Sequence, residues 1–431
     1  MSKAAVSIFW FRRDLRLEDN VGLYQALQSD YPVLPIFIFD ESILSKLPKN
    51  DARVGFIYEN LQQMHAQLQQ HSSGLCVCHG AITNVWESLL EEFDVKEVFY
   101  NKDYEPYALQ RDAQITTLLQ GRGVSVSPFK DQVIFEEKEI VKADGLPYTV
   151  YTPFKNKWLE KYKTLAPVQE WDTAAHFSKL YPHQGEILTL SAIGFEPSPI
   201  KVKPHNLKFI ANYHDTRDFP AMDKTSYLSP HLRFGTVSVR KLVNWAFHKN
   251  DVFLSELIWR EFFMQILFSF PKVANKNFKS AYDGIQWRNN EDDFKRWCEG
   301  KTGYPMVDAG MRQLNETGYM HNRVRMVVAS FLCKHLLIEW QWGEAYFAQK
   351  LLDYDMSANV GNWQWAAGTG CDAAPYFRVF NPDIQQKKFD EKGAYIRTWI
   401  KEFNLGYGKP MVEHAMARDR AIATYKAGIL K

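Results

Sequence analysis

The sequence predicts a chain in two parts: an α/β N-terminal domain on a five-stranded parallel, Rossmann-like sheet, then an all-α C-terminal domain. Three observations predict this. Five short apolar runs alternate with amphipathic stretches over the first 130 residues. Prolines cluster between 131 and 200. Beyond about 205, apolar residues recur at helical spacing almost throughout. Apolar strands separated by helices belong to a parallel sheet covered on both faces.

The strand candidates are AVSIFWF (5–11), VLPIFIF (33–39), GLCVC (74–78), VKEVFY (95–100) and VSVSPF (124–129). Between them VGFIYENLQQMHAQLQQ (54–70) and ITNVWESLLEEF (82–93) read as helices. Ligands of such sheets sit at the carboxyl ends of the strands. The polar runs RRDLRLEDN (12–20) and NKDYEPY (101–107) stand there. The weak periodicity of 131–200 reads as a connector draped over the surface, and FLSELIWREFFMQILFSF (253–270) opens the strongest helical signal of the domain 201–431.

With 431 residues and 46% hydrophobic content the chain can bury a large core. No run approaches the ~18 apolar residues that span a bilayer. The N-terminal run SIFWF stops at paired arginines, unlike a secretion signal. These features predict a soluble cytoplasmic protein. The five cysteines are odd in number and scattered, which argues against a disulfide framework. Cys76-Val-Cys78-His79 lies in a strand-like run without a second ligand pair at zinc spacing, so no metal is assigned. A net charge of +2 means that a polyanion partner would need a local basic patch. Aromatic residues reach 15%; they fill cores and also stack on flat heterocycles.

Two nucleotide signatures fail. EGKTG (299–303) contains Gly-Lys-Thr, but Lys295 stands where a phosphate loop needs its first glycine, and no strand precedes it. No G-x-G-x-x-G follows the first strand either.

Other runs carry chemistry. SELIWREFF (255–263) sets Glu256, Trp259 and Arg260 at i, i+3 and i+4, on one helix face. A surface ion pair beside a half-buried indole would look the same. MHNRVRM (320–326) places Asn322, Arg325 and Met326 on one face, where an amide can meet a base edge and a guanidinium an anion. A solvated face is the plainer alternative. In LLDYDMSANVGNWQWAAGTG (351–370), Asp355 and Asn359 stand at i, i+4, after Asp353. Trp363 and Trp365, two residues apart, would point about 200° away from each other in a helix. TSYLSPHLRFG (225–235) gathers Thr225, Ser226 and Ser229 ahead of a helix, as a phosphate site or an ordinary N-cap would.

Together TSYLSPHLRFG, ELIWREFF, KTGYPMVDAGMRQLNETGYMHNRVRM, DYDMSANVGNWQWAAGTGCDAAPYFRVFNP and FWFRRDLRLEDN resemble the photolyase/cryptochrome family, in family order and over essentially the whole chain. Within it the chain looks most like the class I photolyases of cyclobutane pyrimidine dimers in DNA. The resemblance implies a lyase of DNA repair, monomeric and away from membranes, with an antenna-binding domain at 1–130, a connector at 131–200 and a helical FAD- and lesion-binding domain at 201–431. It implies FAD contacts at Tyr213, Thr225, Ser226, Tyr227, Leu228, Ser229, Arg260, Asn322, Arg325, Asp353, Asp355 and Asn359, with Asn359 facing flavin N5. Glu256 and Asn359 match catalytic positions. Lesion and DNA contacts fall on Glu256, Trp259, Asn322, Arg323, Met326, Trp365 and Gln385. Trp363, Trp340 and Trp287 match an electron-transfer chain that reduces the flavin in light. A second, antenna chromophore is implied, a deazaflavin, folate or flavin, and NKDYEPYALQRD (101–112) looks most like the deazaflavin version.

Tyr319, Phe253, Phe263 and Cys371 depart from the usual pattern, each by an aromatic or small replacement. The alternatives on the same fold are a signalling cryptochrome and a (6-4) photolyase. Cryptochromes often alter the glutamate or pocket tryptophans and carry a long C-terminal extension, whereas Glu256, Trp259 and Trp365 stand here and the chain stops at YKAGILK. A (6-4) enzyme is expected to place a histidine pair where His321 is followed by Asn322. A nucleotide-binding α/β protein with a helical interaction domain and no catalysis is a further alternative.

Overall fold

Alternation along the strands builds two cores at once. In β1 (Ala5–Phe11) Phe9 and Phe11 join one apolar cluster with Phe37 and Phe39, while Ile8 and Trp10 join another with Ile36 and Ile38. Successive side chains of a strand point to opposite faces, so a strand apolar at every position must be covered on both sides. The computed structural model, which describes residues 3–429, places β1 at the centre of a five-stranded sheet. Its neighbours are β2 (Val33–Asp40), β3 (Cys76–Gly80), β4 (Asp94–Asn101) and β5 (Ser125–Phe129), in the order β3-β2-β1-β4-β5. All pairs are parallel, with Phe9 opposite Pro35 on one side and Phe99 on the other. Pro35 precedes Ile36, where the ladder to β3 begins. The fold class expected from the sequence is the one observed.

The turn after β1 folds onto itself. The Asp14 carboxylate accepts from the Arg12 amide at 2.8 Å and from Asn101 Nδ2 at 2.5 Å, and Asn101 Oδ1 accepts from the Gly22 amide at 2.9 Å. A Cβ on Gly22 would stand 2.7 Å from that oxygen, so only glycine fits this approach. Arg16 donates to Asp131 from a buried site, and Arg240 joins the same carboxylate.

The chain forms two compact units, each discontinuous in sequence. The first comprises Met1–Glu139, Glu160–His205 and Tyr227–His248; the second comprises Ile140–Leu159, Asn206–Ser226 and Lys249–Lys431. Within 131–200, where the sequence suggested only a connector, a helix runs over Tyr151–Leu165. Pro153 and five charged residues mask its period, yet Phe154, Trp158 and Tyr162 are buried at helical spacing. Trp158 Nε1 donates to Glu261 at 2.7 Å, satisfying the indole inside the second unit.

The second unit is helical. Its core packs Met306, Val307 and Met311 of the Pro305–Thr317 helix against Val324, Val327 and Val328 of the Asn322–Ser330 helix, with Trp297 and Trp363 in the same cluster. No helix of the described residues is long and apolar enough to cross a membrane. Among the described residues no group of three or more His, Cys, Asp or Glu is placed to hold a metal ion, and all five cysteines are free thiols.

Candidate active site

The Asp251–Ser269 helix begins at Asn250, whose side chain accepts from the amides of Val252 and Phe253 and so satisfies two orphan donors. Its apolar positions from Phe253 to Leu267 are mostly buried, whereas Glu256, Trp259 and Arg260 remain half-buried. That is the face the spacing predicted. Glu256 Oε1 accepts from Arg217 Nη1 at 2.5 Å. Burial raises the carboxyl's pKa, and the attraction of Arg217 and Lys155 offsets this only in part. Asp218, beside Arg217, adds a second upward push. Glu256 therefore holds a proton to higher pH than an ordinary glutamate.

Trp259 is fixed by its flat neighbours. It stacks on Tyr151 with ring centres 3.5 Å apart and planes 9° from parallel, and Phe263 lies 5.4 Å away at 27°. Tyr151 is anchored in turn, its hydroxyl donating to the Ser255 carbonyl at 2.7 Å. Lys155 Nζ reaches Ser255 Oγ at 2.6 Å, so the Tyr151–Leu165 helix holds this stretch from two points.

The Asn322–Ser330 helix starts at His321, whose Nδ1 accepts from the Arg323 amide at 3.1 Å. Nδ1 is an acceptor there, so Nε2 carries the ring proton, and Nε2 is buried without a partner. Burial lowers the His321 pKa to about 4. Arg323 donates to Asp218 at 2.7 Å and lies 4.4 Å from the Phe389 ring centre. Arg325 grips Asp353 with both terminal guanidinium nitrogens, at 3.2 and 2.8 Å, and its Nε donates to the Met320 carbonyl at 2.8 Å. Asn322 is exposed, and Met326 and Gln385 are half-buried.

Asp355 caps the Met356–Ala367 helix, its carboxylate accepting from the Ala358 amide and the Ser357 hydroxyl. One turn on, Asn359 Nδ2 donates to the Glu344 carbonyl at 3.1 Å and to Glu344 Oε1 at 2.9 Å. The amide's NH2 is thus committed, and what the side chain offers elsewhere is its oxygen, an acceptor.

On this helix the two tryptophans differ in burial. Trp363 is 2% exposed, edge-on to Phe347 at 5.0 Å and to Trp297 at 6.1 Å, while Trp365 is half-buried. Trp363 lies against Gly343, where a Cβ would stand 2.1 Å from the indole. Gly343→Ala is expected to cost about 1–3 kcal/mol by overpacking, measured by urea unfolding. Trp340 is buried with Nε1 donating to Asn277 at 2.9 Å, and Trp287 meets Tyr425 edge-on at 5.6 Å.

Residues 7–173 match the DNA photolyase family, and residues 253–405 match the FAD binding domain of DNA photolyase. A deoxyribodipyrimidine photo-lyase of Agrobacterium fabrum is 35% identical over 99% of this chain and 98% of its own length. That of Escherichia coli is 34% identical over 97% and 98%. The chain belongs to the DNA photolyase family. Among solved structures, a bacterial class III photolyase from Agrobacterium tumefaciens superposes with TM-score 0.86 at 33% identity, covering 99% of this chain and 98% of that one. An archaeal photolyase from Sulfolobus tokodaii, solved with two FAD molecules, gives 0.81 at 34%, covering 98% and 99%. A Synechocystis cryptochrome gives 0.85 at 24% identity, covering 98% and 100%, a likeness of fold alone.

Several partners of the family's motif residues lie far from them in sequence. Arg217 is 39 residues before Glu256, and no periodicity marks it. Tyr151 sits in the stretch read as a connector. Glu344 is 15 residues before Asn359, on the adjacent Trp340–Lys350 helix. The TSYLSPHLRFG run also differs from an ordinary cap. Its helix, Leu228–Phe234, is preceded by Tyr227 in the left-handed conformation at φ 53°, without a side-chain cap bond, and the division between the units falls between Ser226 and Tyr227.

Proposed function

We propose that this chain is a deoxyribodipyrimidine photo-lyase that splits cyclobutane pyrimidine dimers in DNA with light. The observation that carries the proposal is the pairing on one helix face of a desolvated Glu256 carboxyl with the stacked Trp259 indole. A dimer lifted out of the duplex has two pyrimidine rings, saturated at C5 and C6 and no longer aromatic, that still present broad faces and carbonyl oxygens. Such a base can stack on an indole, worth roughly 1–3 kcal/mol per base, and accept a hydrogen bond from a protonated carboxyl. A damaged pair loses less stacking on flipping than a sound one, which favours the lesion. Trp259 supplies the stacking face, with Trp365 the second indole and Asn322, Arg323, Met326 and Gln385 the remaining contacts to lesion and DNA.

The residues present fit a flavin. Asn359 offers an oxygen acceptor suited to an N–H of a reduced ring, and Glu344 keeps the amide from turning over. The Arg325–Asp353 pair presents a fixed cation and a buried carboxylate, and Asp355, Arg260, Tyr213, Thr225 and Ser226 complete the contacts we assign within the second unit. When bound, reduced FAD supplies the light absorption and the single electron that opens the dimer ring. The protein's residues orient the lesion and hold the Glu256 carboxyl, whose pKa burial raises, toward the negative charge that develops. Trp363, Trp340 and Trp287 form the electron supply to the flavin. The N-terminal α/β part, 1–130, is assigned the antenna chromophore.

The binding half is tested by spectrum and affinity. The purified protein should carry the absorption bands of FAD and hold an oligonucleotide with one thymine dimer at least about tenfold tighter than its undamaged counterpart. Equal affinity for the two would remove the lesion pocket.

A further inference from the structure

The Asn322–Ser330 helix does not end in a cap. It passes into a π-helical turn, Phe331–His335, and such turns gather at functional sites. The turn buries Lys334 to 1% exposure, with no carboxylate paired to it among the described residues. An ammonium has three N–H donors, and here each has a target. Nζ donates to the Ala367 carbonyl at 2.7 Å and to the Tyr376 carbonyl at 3.1 Å, and it lies 3.7 Å from the centre of the Tyr425 ring.

Ala367 is the last residue of the Met356–Ala367 helix, two residues after Trp365 and one turn after Trp363. That helix already ends without help: Gly368 takes φ 88°, and its amide bonds the Gln364 and Trp365 carbonyls. The lysine is therefore not needed to stop the helix. It ties the last turn to the loop at Tyr376 and to the His414–Gly428 helix at Tyr425 through bonds that a neutral amine, with two N–H donors for two carbonyls, also makes.

We propose that Lys334 is a positioning residue for the lesion pocket, fixing where the end of the Trp363/Trp365 helix and the following loop lie. The proposal rests on the assignment of Trp365 to that pocket. The titratable groups that face Lys334 are Tyr425 and the Cys333 thiol of its own turn, while Tyr376 presents only its backbone carbonyl. Burial lowers the ammonium's pKa to about 7, against about 10.4 in water. Opening the segment hydrates Lys334, so the opened state binds more protons between those two values. Closure therefore strengthens as pH rises above about 7 and is flat below it.

The test is hydrogen exchange over residues 364–376 in the FAD-loaded protein, corrected for the intrinsic rate at each pH, together with affinity for a thymine-dimer oligonucleotide. Lys334→Met should speed exchange there about tenfold or more, weaken dimer binding, retain FAD, and lose the pH dependence. In the wild type, exchange should slow from about pH 7 to about pH 9. A Met variant that exchanges as the wild type does, or a loosened segment with unchanged dimer affinity, overturns the proposal. If that variant does not fold, the wild-type profile decides, and a flat one overturns it. A wild type that binds no dimer removes the assignment of Trp365 instead, while the exchange result still judges the contacts of Lys334.

Discussion

Replacing Glu256 by alanine is expected to lower the number of dimers split per absorbed photon by about tenfold, the size of one hydrogen bond to a charged group, while FAD remains bound. The geometry gives the reason. Glu256 lies on the open face of its helix, 2.5 Å from Arg217, in a setting whose burial raises its pKa. A protonated carboxyl can donate to a pyrimidine carbonyl as negative charge builds on it, whereas a carboxylate would repel that charge. The pH dependence follows with a definite sign. A raised pKa keeps the proton at lower pH and loses it as pH climbs through the raised value, so yield per photon should fall as pH rises. Glu256→Gln keeps an N–H donor without the titration, and it should recover much of the yield and flatten the profile. An alanine variant with wild-type yield, or a wild-type profile that rises with pH, would exclude this role.

The second large effect separates repair from flavin reduction. Trp363→Phe is expected to abolish the light-driven reduction of oxidised FAD, while chemically reduced protein still repairs dimers at the normal yield per photon. Trp363 is buried on the helix that carries Asn359, and phenylalanine preserves much of its packing against Phe347 but is far harder to oxidise. Transient absorption after a laser pulse reads the difference directly. Normal photoreduction in the variant would place the electron supply elsewhere. Trp297, 6.1 Å from Trp363, would then be the next indole to replace.

How far the sequence foretold this arrangement depends on the range of the interaction. Strand β1 was legible to the residue because its apolar run has both faces buried and polar residues follow directly. The shared face of Glu256, Trp259 and Arg260 was legible because helical spacing is local. The difference between Trp363, buried, and Trp365, half-buried against the same core, is one of burial. The Tyr151–Leu165 helix was not legible, since its charged residues weaken the period and only Phe154, Trp158 and Tyr162 carry it. Nor was the support of each site residue. Arg217 under Glu256, Tyr151 under Trp259 and Glu344 under Asn359 come from other segments, and no local pattern pairs them. What a resemblance of motifs conveys is the candidate reacting face; the residues that hold it in place emerge only from packing.

Light-dependent dimer splitting tests the central claim most directly. Reduced, FAD-loaded protein would be mixed with an oligonucleotide carrying one thymine cyclobutane dimer, and restored thymines counted in the dark and under blue light. Restoration in light alone is the predicted result. No restoration in light, with the flavin fully reduced and the oligonucleotide bound, would contradict it.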